Sequence, residues 1–248
     1  MKISVVTVAY NAAKTISDTL NSVAAQSHPD VEHIVIDGAS GDDTVSIVNS
    51  LQRKGGKLRS ERDKGLYDAM NKGIALATGD IIGLLNADDF YADSGVLSRV
   101  ADTFSKHCVN AVLGDVGFFH DGSPDRVVRR YDSGRFRPSR VAWGWMPAHP
   151  AMFLTRKAYD HVGRYRTDFK IAADFEFVVR AFAKEKLTFV HMAEPLVKMR
   201  LGGISTSGLR ATLTMNAECV RACKDNGIYT NLAMIMSKYP LKLTEFVR

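Results

Sequence analysis

Residues 78–90 read TGDIIGLLNADDF. The apolar run 81–85 stops abruptly on Asn86, Ala87, Asp88 and Asp89. Two neighbouring carboxylates repel each other, and burying either one unpaired is costly. Such a cluster sits at a wet surface turn or faces a cation, and the flanking sequence has to decide. Upstream, β-rich runs alternate with helix-spaced segments. Strands are predicted over 3–8, 33–36, 57–61 and 81–85. The intervening helices are 14–26 (Ile16, Leu20, Val23), 44–53 (Val45, Val48, Leu51) and 66–77 (Ala69, Met70, Gly73, Ile74). Strands alternating with helices of about a dozen residues imply right-handed βαβ units and a parallel sheet.

Downstream the pattern is less regular. Strands are predicted over 109–120, 127–131, 151–154 and 196–199, and helices over 174–186 and 207–226. No Pro-, Ser- or Gly-rich linker and no internal repeat divides the chain, so one continuous α/β domain is expected. The 248 residues are 46% hydrophobic and 24% charged, as in an ordinary globular protein. No run approaches the ~20 apolar residues of a membrane span. The N-terminus MKISVVTVAYN lacks a cleavage site and reads as a first strand, so a cytoplasmic or cytoplasm-facing location is expected. Of the cysteines Cys108, Cys219 and Cys223, the last two are four apart, the wrong spacing for a zinc knuckle or redox pair, and read as core thiols. A net charge of +6 calls for an anionic partner: nucleic acid, a nucleotide, phospholipid headgroups or an acidic saccharide. The basic clusters at 126–130, 135–140 and 238–248 are not interleaved with aromatics in one long patch, which speaks against nucleic acid.

Parallel sheets bind ligands at the carboxyl ends of their strands. Tyr10, Asn11, Asp37, Asp63, Asp88 and Asp89 all fall there. Each alone is explained as a turn or cap residue; the set reads as the rim of a site. In VIDGASGDDT (35–44), Asp42, Asp43 and Thr44 are helix caps, whereas Asp37 at the strand end can accept from a base or ribose. Neither a Walker loop nor Gly-x-Gly-x-x-Gly is present, so a nucleotide here needs another counter-charge. A hard cation, Mg²⁺ or Mn²⁺, shared between Asp88 and a diphosphate would supply it and relieve the carboxylate repulsion.

Five segments, MKISVVTVAYN, VIDGASGDDT, ERDKGLYDAMNKG, TGDIIGLLNADDF and IAADFEFVVRAF, together resemble family 2 glycosyltransferases of the GT-A fold, from Met1 to about Ser205. With MPAHPAMF and RLGGIS they look like bacterial enzymes that build O-antigen, capsule or exopolysaccharide. The resemblance implies a single Rossmann-like GT-A domain over 1–205, with a mostly parallel central sheet flanked by helices. Its nucleotide-sugar half is 1–115 and its acceptor half 116–205, and a helical extension spans 206–248. It places Thr7, Ala9, Tyr10, Asn11 and Asp37 on base and ribose, with Asp63, Lys64 and Ala87 lining the nucleotide pocket. Asn86 replaces the first acid of the Asp-x-Asp motif, on the substrate side. Asp88 becomes the metal ligand, with Asp89 a second or indirect one, for Mn²⁺ or Mg²⁺.

Asp174 aligns with the general base, behind Ala173 where the family has another acid; its bland reading is a helix N-cap. Glu176 reads as a solvated first-turn acid and a reserve base. His149, Trp145, Trp143 and Arg200 with the Gly202-Gly203 loop are set against sugar and diphosphate, packing being the rival reading for His149 and the two Trp residues. The implied activity is inverting transfer of a hexose from a UDP-sugar to a saccharide, in particular a lipid-diphosphate-linked one. The segment 228–248 is drawn either as an amphipathic surface on the inner membrane or as a packing or dimer helix. A silent sugar-nucleotide-binding subunit is the alternative. A sugar-1-phosphate nucleotidyltransferase would need a Gly-rich basic N-terminal loop, which VVTVAYNAAKT lacks.

Overall fold

The computed structural model describes residues 1–123, 125–201 and 209–239. The first half follows the predicted alternation: β1 (Ile3–Ala9), α1 (Ile16–Ala24), β2 (Val31–Asp37), α2 (Thr44–Leu51), β3 (Lys57–Ser60), α3 (Leu66–Leu76) and β4 (Ile81–Asn86). Then come β5 (Phe90–Tyr91), α4 (Val96–Lys106), β6 (Ala111–Phe119), β7 (Val127–Tyr131), β8 (Met152–Thr155) and α5 (Arg156–Val162). The chain continues through α6 (Ala173–Val178), β9 (Phe189–Arg200), α7 (Leu209–Asp225) and α8 (Leu232–Met236).

The strands form one sheet in the order β3-β2-β1-β4-β8-β6-β9-β5, with β7 on β6. Strands β1 to β4, β6 and β9 run one way and β5, β7 and β8 the other, so the sheet is mostly parallel. β1, β2 and β4 are buried along almost their whole length, the burial that strands rich in Val, Ile and Leu provide for in a sheet covered on both faces. α3 crosses directly over β1 because Gly73 has no side chain: a Cβ there would stand 2.1 Å from Val6 Cγ1. The largest core cluster joins Val6, Ile34 and Met70 to Phe175, Phe177 and Phe182, and also takes in Cys219, Ala222, Cys223 and Ile235. The C-terminal helices therefore pack into the same core, and Cys219 and Cys223 are core thiols as expected.

The structure differs from the sequence-based expectation in three places. β9 begins at Phe189 rather than Leu196; the ladder with β6 shifts register opposite Pro195, a bulge that lets a residue without an N–H sit inside a strand. The helix expected over 174–186 is α-helical only to Val178 and continues as a π-helical turn over Val179–Lys184. β5, α4 and α5 were not predicted. The Gly202-Gly203 loop and the tail residues 240–248, with Leu241, Leu243 and Phe246, lie outside the described residues.

Candidate functional site

Topology brings the site together. From β1 the chain winds out through β2 and β3 and returns to β4 on the other side of β1, so the winding reverses between β1 and β4. Register aligns Ala9 with Asp37, Asp37 with Ser60, and Val8 with Asn86, which puts the four strand ends on one rim. β9 runs in the same direction, so Arg200 at its end belongs to that rim too. β8 runs the opposite way, which brings His149, just before it, to the same side.

One wall of the rim is a stitched pair of loops. Asp37 is fully buried; its carboxylate accepts from the Ser40 amide (3.0 Å) and hydroxyl and from the Ser60 hydroxyl (2.6 Å). Asn11, at φ 48°, donates its amide to Ser40 Oγ and accepts from Gly41 N, while Ala12 and Ala13 donate to Thr44 and Asp42. Against this frame the Tyr10 ring is 68% exposed. A Cβ on Gly38 would stand 2.7 Å from Asp63 Oδ2 and 3.2 Å from Tyr10 Cδ2, so the Tyr10 ring and Asp63 close up against this glycine. An exposed aromatic held beside a carboxylate is a surface on which a base can stack. Asp37 shapes this wall from inside. Thr7 corrects the expectation: it is fully buried below the rim, its hydroxyl 3.0 Å from His33 Nε2. Burial, with Arg53 nearby, lowers the His33 pKa to about 4, so this contact is neutral packing between β1 and β2. Ala9 and Ala87 are buried small residues under the same wall, and Lys64 is exposed at its edge.

The acidic cluster divides in two. Asp88 is half-buried, whereas Asp89 is 1% exposed and accepts from the Asn86 amide (3.1 Å). Burial, then the Asp88 charge, pushes the Asp89 carboxyl well above the usual carboxylate range, against the pull of Asn86 and Arg200. Thr19 fixes the turn by donating to the Asp89 carbonyl (2.7 Å). Asp89 is thus tucked behind Asp88, which is the more accessible carboxylate of the pair. Magnesium and manganese ions commonly take one or two protein carboxylates and the rest of their shell from substrate phosphates, and Asp88 fits that donor set. Arg200 lies close by, its guanidinium paired with Asp18 and Asp121 and packed over Phe119, while its Nε is buried with no acceptor among the described residues. That orphaned donor suits a phosphate oxygen.

Across the rim, α6 begins at Ala173 with Ala172 as its cap residue, so Asp174 lies inside the first turn and is not an N-cap. Its Oδ1 accepts from Phe175 N and lies 3.4 Å from the Tyr67 hydroxyl, which donates to the Ile171 carbonyl; Oδ2 has no protein partner among the described residues. Tyr67 stacks on Tyr165, and Tyr165 OH lies 2.9 Å from His149 Nε2. Burial keeps His149 neutral although Asp174 pulls the other way, and burial with Asp174 raises Tyr67. Asp174 is therefore a half-buried carboxylate edged by uncharged polar groups, placed to accept a proton.

Glu176 is the opposite case and a correction. It is 1% exposed and bound twice by Arg180, at 3.1 and 2.8 Å, with Asn226 at 3.2 Å. This acid is neither solvated nor a base. Trp145 is 8% exposed and packed, leaving Trp143, 46% exposed, as the more accessible of the two indoles.

Sequence reasoning missed Tyr67, although it lies inside ERDKGLYDAMNKG, and missed Tyr165, whose contacts are distant in sequence. It also passed over Asp115, where Asp132 and His191 bring donor atoms within 4.8 Å of one another. Asp115 is fully buried and already holds Arg130 (2.6 Å), His191 (2.8 Å) and the Ser133 amide. A cation there would face a guanidinium, so this cluster ties β6, β7 and β9 together.

A family model described as Glycosyl transferase family 2 matches residues 4–163. A Mycobacterium tuberculosis glycosyltransferase is 33% identical over 187 residues, 72% of this chain and 68% of its own length. The S. aureus TarS 1-349 structure in complex with UDP-GlcNAc superposes over 100% of this chain and 74% of its own, with a TM-score of 0.72 and 18% identity. The mannosyltransferase PcManGT from Pyrobaculum calidifontis, in complex with GDP-Man and Mn²⁺, covers 98% of this chain and 72% of its own at TM-score 0.64 and 19% identity. Both structures share the GT-A fold with the sheet described above.

Proposed function

The chain belongs to glycosyl transferase family 2, and on that premise we propose that it transfers a hexosyl group from a UDP-sugar to a saccharide hydroxyl, with inversion at the anomeric carbon. The observation that carries this reading is Asp174, a carboxylate with one unpartnered oxygen on the rim that also presents Asp88 and the Tyr10 wall. The Tyr10 ring and Asp63 hold the base, Asp37 braces the ribose loop, and Arg200 Nε meets the diphosphate. The residues at the β4 end fit a divalent ion: Asp88 would hold it, and a bound Mg²⁺ or Mn²⁺ neutralises charge on the departing diphosphate.

Asp174 accepts the acceptor's hydroxyl proton as that oxygen bonds to the anomeric carbon. The bond from that carbon to the diphosphate breaks on the opposite face, which inverts the centre. A lipid-diphosphate-linked saccharide at a cytoplasmic membrane face fits the resemblance to O-antigen and exopolysaccharide enzymes. Among the described residues no helix is long and apolar enough to cross a membrane, so contact with such a substrate would be peripheral.

The test is UDP release across a panel of UDP-sugars, followed by anomeric assignment of the product by NMR. Release from one donor with an inverted product supports the proposal; a retained configuration contradicts it. A second reading, a sugar-nucleotide-binding subunit without turnover, draws on Asn86 and Ala173 standing where acids are expected. Tight UDP binding without release from any donor selects it.

A further inference from the structure

Next to Asp174 lies a cleft of about 220 Å³ whose lining includes Lys64, Tyr67, Asp68, Thr167, Phe169 and Lys170. One wall is the first turn of α3. The other, 167–170, is pinned from behind. The amides of Lys170, Ile171 and Ala172 all donate to the Glu218 carboxylate of α7, at 2.7 to 2.9 Å. Phe169 is clasped between the guanidinium groups of Arg166 and Arg221, at 4.7 and 4.4 Å. A wall held this way is in place before any ligand arrives, which lowers the ordering cost of binding.

Two lysines and one aspartate line the cleft. Lys64 and Lys170 are exposed, and among the described residues neither has an ion-pair partner. The single acid on the lining, Asp68, is already engaged, accepting from Lys64 N at 3.0 Å and paired with Lys72 at 3.2 Å. Tyr67 connects the cleft to the chemistry, since its hydroxyl lies 3.4 Å from Asp174 Oδ1. A ligand in the cleft is one side chain away from the base. The donor's diphosphate has its own partners at the ends of β4 and β9, so these two ammonium groups are left over.

Building on the function proposed above, we infer that this cleft seats a phosphate group of the acceptor. The acceptor is then a phosphate-bearing molecule whose hydroxyl is presented to Asp174. Two exposed ammonium groups flanking the cleft recognise a phosphate as point charges and give a neutral sugar no comparable anchor.

The phosphate can belong to a lipid carrier or to a soluble phosphorylated glycan, and two probes separate these sources. Geranyl diphosphate and glycerol 1-phosphate are titrated calorimetrically into the protein, both alone and saturated with UDP and Mg²⁺. Saturable binding of at least one probe to the UDP-loaded protein is expected, and preference for the geranyl compound selects the lipid source. In Lys170→Gln the probe affinity should fall about tenfold or more, with UDP affinity unchanged. Absence of saturable binding by either probe, or equal affinity in Lys170→Gln, overturns the inference. Protein that binds a probe but not UDP upholds the cleft and strikes the donor reading; protein that binds UDP but neither probe strikes the cleft alone.

Discussion

Asp174 and Glu176 stand two residues apart at the start of α6, and their surroundings give them opposite roles. Glu176 is spent on Arg180, which also donates to the carbonyls of Val162 and Arg164 and so ties α6 to the segment after α5. Replacing it with alanine would strand a mostly buried guanidinium, a change that costs about 3 kcal/mol or more; urea unfolding of Glu176→Ala should show that loss. Asp174→Asn, by contrast, should unfold like wild type and bind UDP like wild type, while transfer falls by about 10²- to 10⁴-fold. A variant that keeps its rate would remove Asp174 from the mechanism. Both acids were visible in IAADFEFVVRAF, and the Glu176-x-x-x-Arg180 spacing was a legible sign of an ion pair. The inward turn of Asp89 was not legible, because it depends on Thr19 and Arg200, far away in the chain. Nor was the burial of Thr7, which depends on the neighbouring strand delivering His33.

At the scale of elements, most of the parallel half could be read from the pattern of apolar residues, since its buried strands are runs dominated by Val, Ile and Leu. α4 carried the same kind of signal: Val96, Leu97, Val100, Ala101 and Phe104 are all buried at helical spacing. β5 is two residues long and exists only because β9 offers an edge beside it, and β9 itself is disguised by Pro195 at its bulge. No local feature of VVRAF announces the π-helical turn. The most exacting contact between elements is α3 on β1. Gly73→Ala puts a methyl into the Val6 side chain and should cost about 1–3 kcal/mol by overpacking. A thermal scan in which Val6→Ala, added to Gly73→Ala, recovers part of the lost Tm would establish that contact; unchanged stability in the single variant would refute it.

For the whole molecule, the sheet has a structural end and a chemical end. At the structural end Glu32 gathers Ser4 of β1, Lys57 of β3 and Thr78 before β4. Burial alone would raise its pKa, but these donors outweigh burial and lower it from 4.5 to about 2. A depressed carboxylate stabilises the fold above its unfolded pKa, and the stabilisation drains away as pH falls through the folded one. Wild type should therefore lose more stability between pH 4.5 and 2 than Glu32→Gln does, and a parallel decline would contradict this. UDP binding at pH 7 should not respond to that substitution, because the chemical end is the opposite rim. There Tyr10, Asp63, Asp88 and Arg200 come from four different segments, and the proposed transfer requires that they form one nucleotide-diphosphate site. The decisive measurement is calorimetric titration of UDP with and without Mn²⁺ on wild type and Asp88→Ala. Binding strengthened by Mn²⁺ in wild type, with that gain lost in the variant, is the predicted result. No UDP binding under either condition would contradict the site as a whole.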